Sequence, residues 1–170
     1  LTHMVKGAKH FKKPILVDPK EKHFSYYRGV TAITPNRKEA LSAYGQSEDG
    51  RVPELHEVGK KLLKQFFLEA VLMTLGEEGM MLFERNGSIT KIPTTAQEVY
   101  DVSGAGDTVI AVFAMALSAG ASMRDAAVLA NCAAGIVVGK LGTATLTPQE
   151  LKASLTVSSN RLRRRILAHV

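Results

Sequence analysis

The chain has 170 residues, of which 45% are hydrophobic, 22% charged and 6% aromatic, the proportions of a folded globular domain and not of a disordered or collagen-like chain. Its longest apolar run, residues 109–117, is too short to span a bilayer, and the single cysteine, Cys132, excludes an internal disulfide framework and a cysteine-based zinc cluster. With no secretory signal visible, we expect a cytoplasmic location.

The formal net charge of +6 is concentrated at the two ends of the sequence. Residues 1–13 contain four lysines and no acid, and residues 151–170 contain five basic side chains and no acid, so residues 14–150 carry a net charge of −3. The basic run at 161–165 could bind nucleic acid or anionic lipid, but no aromatic side chains interleave with it as a stacking platform requires. We therefore predict a solvated basic tail over 156–170 and expect neither membrane nor nucleic-acid partners.

Short β-rich segments alternate with helical patterns along the chain. In chain order the predicted elements are strands at 14–18 and 30–34, helices at 36–44 and 53–68, a strand at 70–75, a hairpin of strands 80–84 and 88–92, and helices at 105–119 and 123–138. Asn86-Gly87 is a strong hairpin turn, and a polar loop is expected over 46–52. Strands that alternate with helices predict an α/β fold, with a mainly parallel sheet flanked by helices and one local hairpin.

Two helix starts carry capping patterns that fix where the helices begin. Ser122-x-x-Asp125 precedes the last long apolar helix, and Thr147-Pro148-x-Glu150 places a proline at the first position of a further helix. In both, a hydroxyl and a carboxylate three residues later can satisfy backbone N–H groups that have no partner inside the helix.

The most informative segment is Asp101-Val-Ser-Gly-Ala-Gly-Asp107, directly before an apolar helix. Gly104 and Gly106 permit a sharp turn and close approach of a ligand, so the backbone N–H groups of Gly104, Ala105, Gly106 and Asp107 would form an anion site suited to a phosphoryl group. Asp107 could take a proton from an attacking hydroxyl, and Asp101 could orient the turn or a nearby cation. The alternative is a glycine-rich helix start with Asp107 as a first-turn acid, and local physics weighs the two evenly.

A second pattern, Asn36-x-x-Glu39, follows the predicted strand at 30–34. On a helix the two side chains share a face and could hold the waters around Mg²⁺, a hard cation that keeps much of its hydration. The same spacing is also a capping box, which is the favoured interpretation of these two residues in isolation.

Two strand ends offer further candidate ligand contacts. Thr74, Gly76 and Gly79 follow the strand at 70–75, and Asp18 and Lys20 follow the strand at 14–18. In open α/β sheets ligands bind at the carboxyl edge of parallel strands, so the first group could line a nucleotide, Asp18 could hold a cation-linked water and Lys20 a phosphate. Taken alone, an ordinary tight turn and an ordinary strand terminus are the simpler interpretations.

Asn131 interrupts the apolar helix predicted at 123–138. It could hydrogen-bond a purine or line a pocket, or it could simply face a neighbouring backbone. Cys132 beside it is most simply a small buried core residue.

Together these segments resemble the carboxyl-terminal half of a ribokinase-like (PfkB-type) sugar kinase. The glycine turn from Asp101 to Asp107 is close to that family's second signature, and the Asn36-x-x-Glu39 and Thr74-x-Gly76-x-x-Gly79 patterns lie upstream in family order. The resemblance extends to about residue 151. Finer features resemble the kinase domain of D-glycero-β-D-manno-heptose 7-phosphate kinases: Leu-Val-Asp-Pro-Lys at 16–20, Thr-Pro-Asn at 34–36 and the segment 130–143.

The resemblance implies an ATP- and Mg²⁺-dependent phosphotransferase. Asp107 would activate the anomeric hydroxyl of a sugar phosphate, the amides of 104–107 would hold the moving phosphoryl group, and Asn36 with Glu39 would organise Mg²⁺ through water. Thr74, Gly76 and Gly79 would line the nucleotide site, with Asn131 at the adenine pocket.

The departures from the family define what else is expected. Family members are roughly twice as long, and their amino-terminal half, with a glycine-rich sugar-site signature and a lid, is not in this sequence, which starts at Leu1 with its first methionine at Met4. Val102 and Ser103 replace a common Thr-Thr pair, and no nucleotidylyltransferase His-x-x-His element follows.

We therefore expect residues 1–155 to be the carboxyl-terminal half of a kinase domain, inactive alone and partnered by the missing half, with a homodimer as one compatible assembly. Two alternatives stay open. One is another ribokinase-like kinase for a pentose, a fructose phosphate or a nucleoside, and the other is a truncated, non-catalytic nucleotide-binding paralogue.

Overall fold

The computed structural model describes residues 2–20, 23–45, 51–96 and 98–155. The strands are β1 (Leu16–Val17), β2 (Ala32–Ile33), β3 (Ala70–Thr74), β4 (Met80–Glu84) and β5 (Ile89–Ile92). The helices are α1 (Thr2–His10), α2 (Arg37–Tyr44), α3 (Leu55–Phe66), α4 (Ala105–Ser118) and α5 (Met123–Val137), followed by helical residues 148–155. The predicted tail at 156–170 and most of the predicted loop at 46–52 lie outside the described residues.

All five strands form one sheet in the order β1-β2-β3-β4-β5. The first three are parallel, with Leu16 opposite Ala32 and Ala32 opposite Ala70, whereas β3, β4 and β5 pair antiparallel. The predicted α/β class and the local hairpin are therefore confirmed. Since parallel strands end at one edge, the segments that follow β1, β2 and β3 converge there.

The sheet is covered on both faces, which explains why β3 is apolar and buried from residue 70 to 73. Val71 and Met73 pack with α2 and α3, while Ala70 and Leu72 pack on the other face with α4 and α5. Large side chains such as Phe83 and Phe113 are fully buried in these two clusters. Each contributes roughly 1.5–3 kcal/mol of transfer free energy, so the two layers hold the sheet edge in place.

Local sequence sets the helix boundaries as predicted. α2 begins at the capping residue Asn36 and ends at Gly45, whose φ of 81° is a conformation that favours glycine. The Ser122 hydroxyl accepts a hydrogen bond from the backbone N–H of Asp125 at 3.1 Å, and the Thr147 hydroxyl accepts one from that of Glu150 at 3.2 Å.

Helix α1 and two short 3₁₀ turns, Phe24–Tyr27 and Gly76–Glu78, were not predicted. Within the part of α1 whose burial is described, only Val5 is buried. An apolar periodicity is therefore hardly visible in its sequence, and Val5 is the residue through which α1 joins the core cluster that contains Phe24 and Val30.

Candidate functional site

A cleft of about 510 Å³ opens beyond the carboxyl end of β3. Its walls come from the turn after β3, the segment that follows β5, the first turn of α4 and one face of α5. They are formed by Thr74, Gly76, Glu77, Gly79, Met80, Thr94, Ala96, Val99, Val102, Ala105, Gly106, Val109, Asn131, Ala134, Gly135 and Val138. This volume lies within the range of small-molecule sites, and the mixture of apolar walls with a few polar groups is typical of them.

The apolar part of the cleft includes valine side chains that are exposed to solvent. Val99 and Val102 are 59% and 69% exposed although they line the cleft. Apolar walls of this kind can hold a flat heterocycle, while the polar groups at the floor fix its orientation.

The glycine turn places backbone N–H groups at the mouth of this cleft. Gly104 is the N-cap of α4 with a φ of 77°, a conformation that favours glycine, and no side chain caps this helix end. The Ala105 N–H donates to the Val102 carbonyl at 3.2 Å, so it is partly used. At Gly106 an added Cβ would meet no atom within 4 Å. The amides of Gly106 and Asp107 therefore remain the principal donors for an anion, with the positive end of the helix dipole behind them.

Asp101 ties this turn to the end of α5. One of its carboxylate oxygens accepts the Ser103 backbone N–H at 2.8 Å. Hydrogen bonds from Ser103 and from the backbone of Gly142 hold the pKa of Asp101 below its usual value. The backbone N–H groups of Tyr100 and Asp101 both donate to the Val138 carbonyl, at 2.8 and 3.3 Å. Of the two roles predicted for Asp101, this geometry supports orientation of the turn.

Asn36 and Glu39 form a complete capping box at the start of α2. The Asn36 side-chain oxygen accepts the Glu39 backbone N–H at 2.9 Å, and Glu39 Oε2 accepts that of Asn36 at 2.8 Å. Among the described residues, no three His, Cys, Asp or Glu side chains are placed to hold a metal ion directly. The other carboxylate oxygen of Glu39 takes no part in the capping box. Any contact of this pair with a cation would therefore pass through a metal-bound water.

The predicted metal and nucleotide residues are neighbours at the sheet edge. Asn36 bridges to Thr74 in parallel pairing, and the Thr74 N–H donates to the Pro35 carbonyl at 3.0 Å. Arg37 in the first turn of α2 forms an ion pair with Glu78 in the turn after β3. These contacts fix the start of α2 against one wall of the cleft.

Gly79 packs too tightly to carry a side chain. Its φ is 87°, and an added Cβ would lie 2.2 Å from the Ile92 carbonyl oxygen. It lets the turn after β3 close against the end of β5, so its part in the cleft is to shape the floor.

Four charged groups gather at the ends of β1 and β2 and the start of α4. Lys20 Nζ lies 2.9 Å from Asp18 Oδ2. The hydrogen bond and charge of Asp18 raise the pKa of Lys20 above its usual value, and the charges of Glu39 and Asp107 add to this. The charge cluster, defined as Asp18, Lys20, Glu39 and Asp107, therefore adjoins the cleft without lining it.

Thr34 belongs to the Thr-Pro-Asn segment at 34–36, but the motifs assigned it no role of its own. It is 4% exposed, and its hydroxyl is the buried side-chain polar atom without a hydrogen-bond partner among the described residues. By strand alternation it faces the α4 side, as Ala32 does. Its backbone N–H donates to Val17 at 3.0 Å, which places Thr34 beside Asp18.

Asn131 is 3% exposed, and its side-chain amide donates to the Pro93 carbonyl at 2.8 Å. It therefore holds the segment after β5 against α5 and also lines the cleft, and its contact with a purine stays a prediction. Ala134, Gly135 and Val138 share its helix face at spacings of three, four and seven. That periodicity could have identified them.

The family match covers most of the chain: residues 1–150 match the pfkB family carbohydrate kinases. Relatives include the bifunctional protein HldE of Halorhodospira halophila, 49% identical over 89% of this chain, and that of Geobacter metallireducens, 47% identical over 91%. The chain spans about a third of the length of these relatives, 31% of each. None of the described helices has the length and apolarity needed to cross a membrane.

Solved structures show the same fold. Ribokinase from Thermotoga maritima is 28% identical with a TM-score of 0.73, and the match covers 90% of this chain and 52% of that one. Arabidopsis thaliana ribokinase, solved with ribose and ATP, has a TM-score of 0.75 at 23% identity, over 89% of this chain and 50% of that one. The predicted ribokinase-like fold is thus confirmed, as part of a longer domain. Sequence and fold agree that the chain belongs to the pfkB family of carbohydrate kinases.

Proposed function

We propose that the chain is the nucleotide-binding and catalytic half of an ATP-dependent sugar kinase. Its proposed acceptor is D-glycero-β-D-manno-heptose 7-phosphate, phosphorylated at the anomeric hydroxyl to the 1,7-bisphosphate in ADP-heptose and lipopolysaccharide core biosynthesis. Similarity to the HldE relatives supports this choice, and so does the resemblance of segments 16–20, 34–36 and 130–143 to heptose 7-phosphate kinases.

The observation that carries the proposal is the meeting of two predicted sets in one cleft. Thr74, Gly76, Gly79 and Asn131, predicted for the nucleotide, line the same cavity as Ala105 and Gly106 of the glycine turn. A nucleotide held by the first set would direct its phosphates towards the N-terminus of α4, where backbone amides and the helix dipole stabilise negative charge.

The general base in this proposal is Asp107. It is exposed in the first turn of α4, next to the amides that would hold the phosphoryl group. There its carboxylate would take the proton of the acceptor hydroxyl, so that the oxygen can attack the terminal phosphorus of ATP in line and release ADP. Phosphoryl transfer depends mainly on such positioning and on neutralised charge.

Mg²⁺ fits this site only as a hydrated ion. Asn36 and Glu39 spend one oxygen each on the capping box, and the second oxygen of Glu39 is left for a metal-bound water. When bound, the ion would neutralise phosphate charge. The fixed start of α2 would keep Glu39 in position as the ligands exchange.

The sugar site is proposed to come mainly from a second half of the kinase. The chain spans 50–52% of the ribokinase chains above, so the partners in this proposal are ATP, a sugar phosphate and the complementary amino-terminal half, in the cytoplasm. A homodimer is compatible with it.

The test is ADP release by the chain supplied with the amino-terminal half of the kinase. Heptose 7-phosphate, ribose, fructose 6-phosphate and adenosine serve as acceptors. We expect turnover with the heptose. A preference for one of the others would make the protein a different ribokinase-like kinase. ATP binding without turnover on any acceptor would favour the non-catalytic paralogue.

A further inference from the structure

Lys20 stands out because its ammonium group pairs with one carboxylate and interacts electrostatically with two more. It pairs with Asp18 at 2.9 Å and lies within the electrostatic reach of Glu39 and Asp107. Two of these acids belong to elements that the proposed function places on either side of the reacting phosphoryl group. The ammonium group therefore sits where phosphate charge must be neutralised.

The backbone that carries Lys20 is fixed while the side chain is not. Pro19 is buried, and the Lys20 backbone N–H donates to the Tyr27 hydroxyl at 3.4 Å. In contrast, the Lys20 side chain is 67% exposed and that of Asp18 29% exposed. An exposed ion pair contributes little to stability, so the lysine can leave Asp18 at small cost.

Asp18 has a second hydrogen-bond donor close by if Lys20 leaves. Thr34 lies next to it, one residue beyond the paired Val17 and Ile33, and strands in a sheet are about 4.8 Å apart. The buried Thr34 hydroxyl has no hydrogen-bond partner within the part of the chain that the structure describes. Its proton, directly or through one water, can then satisfy the carboxylate.

We propose that Lys20 is a movable phosphate-binding residue: it rests on Asp18 without substrate and transfers its hydrogen bonds to the terminal phosphoryl group of the bound nucleotide. This inference rests on the proposed function. Lys20 stays protonated throughout and neutralises charge on the phosphoryl oxygens, while Asp107 handles the proton. Lysine suits this role as a compact charge on a long, flexible stem.

The test compares binding of ATP and ADP to the chain, by calorimetry in EDTA so that the metal does not contribute. Lys20→Met should weaken ATP about ten-fold, the range for loss of a charged hydrogen bond, and leave ADP nearly unchanged. Asp18→Asn should act in the opposite direction and tighten ATP, because the lysine loses its resting partner. Lys20→Arg should keep most of the ATP affinity, and Lys60→Met on the exposed face of α3 is the control for lost net charge.

The outcomes distinguish the proposed role of Lys20 from the proposed kinase function. Equal ATP affinity in the original chain and Lys20→Met overturns the role of Lys20 and leaves the kinase proposal intact. Weaker ATP binding in both Lys20→Met and Asp18→Asn marks a purely structural ion pair and also overturns it. No ATP binding by the original chain, both in EDTA and with Mg²⁺, overturns both. Melting temperatures confirm that each variant is folded.

Discussion

Asp107 and Asp125 occupy the same place in consecutive helices, the third residue of the first turn of α4 and of α5. As first-turn acids, both gain about 0.3–1 kcal/mol from the helix dipole. They differ in surroundings, because Asp125 accepts the Ser122 hydroxyl at 2.7 Å, whereas Asp107 lies in the charge cluster beside the cleft. Chemistry is therefore expected of one acid and only capping of the other.

Replacing Asp107 by Asn should lower turnover of the assembled kinase about 10²–10⁴-fold, the usual loss for a positioned base, with ATP still bound. The amide keeps the shape of the side chain but cannot take the proton. Steady-state rates and nucleotide titrations measure the two effects. Asp125→Asn is the matched control and should leave the rate unchanged. A near-normal rate for Asp107→Asn would remove this residue from the mechanism.

Replacing Glu39 by Gln should raise the Mg²⁺ concentration needed for half-maximal activity, since the proposed water-mediated contact loses its charge. Loss of the cap alone would cost at most about 0.5–2 kcal/mol of stability. Glu57→Gln, in the equivalent capping box at the start of α3, should show only the stability effect. Melting curves with a Mg²⁺ titration separate the two, and an unchanged titration for Glu39→Gln would leave it a cap.

The residues of the glycine turn could be predicted from the sequence because their chemistry is local. The turn needs a positive φ at Gly104 and a carboxylate three residues later, and all of these residues are close together in the sequence. Lys20 was predicted from its strand end as a phosphate contact, but its pairing with Asp18 and the position of the Thr34 hydroxyl could not be predicted in that way. The surroundings of the Thr34 hydroxyl and the Lys20 ammonium group form only when β1, β2 and α4 come together in the fold. The spacing of residues along the chain does not predict these contacts.

At the scale of elements, an ion pair joins the helical residues 148–155 to the loop after α5. Lys140 Nζ lies 2.7 Å from Glu150 Oε1. That ammonium group, with the Thr147 backbone N–H and hydroxyl, lowers the pKa of Glu150 from 4.5 to about 2. Since the folded state favours the charged carboxylate, the stabilisation is complete above pH 4.5 and is lost as the pH falls towards 2.

We expect Glu150→Gln to lower the melting temperature at pH 6 and to have almost no effect near pH 2. Lys140→Met should give the same pH dependence, and the double variant should lose little more than either single one, since both remove one interaction. Thermal unfolding followed by circular dichroism across this pH range is the measurement. A pH-independent effect of Glu150→Gln would assign its contribution to packing.

The positions of strands and helices along the chain were easier to predict than the way in which the strands pair. Strand β4 and the start of α5 fall on the predicted residues because turn and cap signals mark their ends. Helix α1 was not predicted because, among its residues whose burial is described, Val5 is the only buried one. A single buried position gives no helical periodicity. The sequence indicated a parallel sheet with a hairpin, but the antiparallel pairing of β3 with β4, which turns the sheet mixed, depends on the tight closure at Gly79.

At the scale of the whole molecule, the chain contains the glycine turn, the proposed metal pair and the cleft proposed for the nucleotide, and it spans about half the length of the ribokinases it matches. Fixing both reactants in line is worth about 7–11 kcal/mol of the barrier. We expect residues 1–170 alone to bind Mg-nucleotide weakly and to phosphorylate no heptose 7-phosphate, and the amino-terminal half to restore the reaction. Coupled ADP release measures both. Robust turnover by the chain alone would place the sugar site within it.

The Val138 carbonyl has a consequence for the energetics of recognition. Because one oxygen accepts from both Tyr100 and Asp101, the glycine turn and α5 cannot separate without breaking both hydrogen bonds. The glycine turn and α5, which form two sides of the cleft, are thus held together before any ligand binds. The conformational entropy of these two sides is then lost during folding, and in the proposed function a nucleotide would bind between walls that are already joined. Amide exchange at these two residues should therefore be equally slow in the empty and the loaded protein.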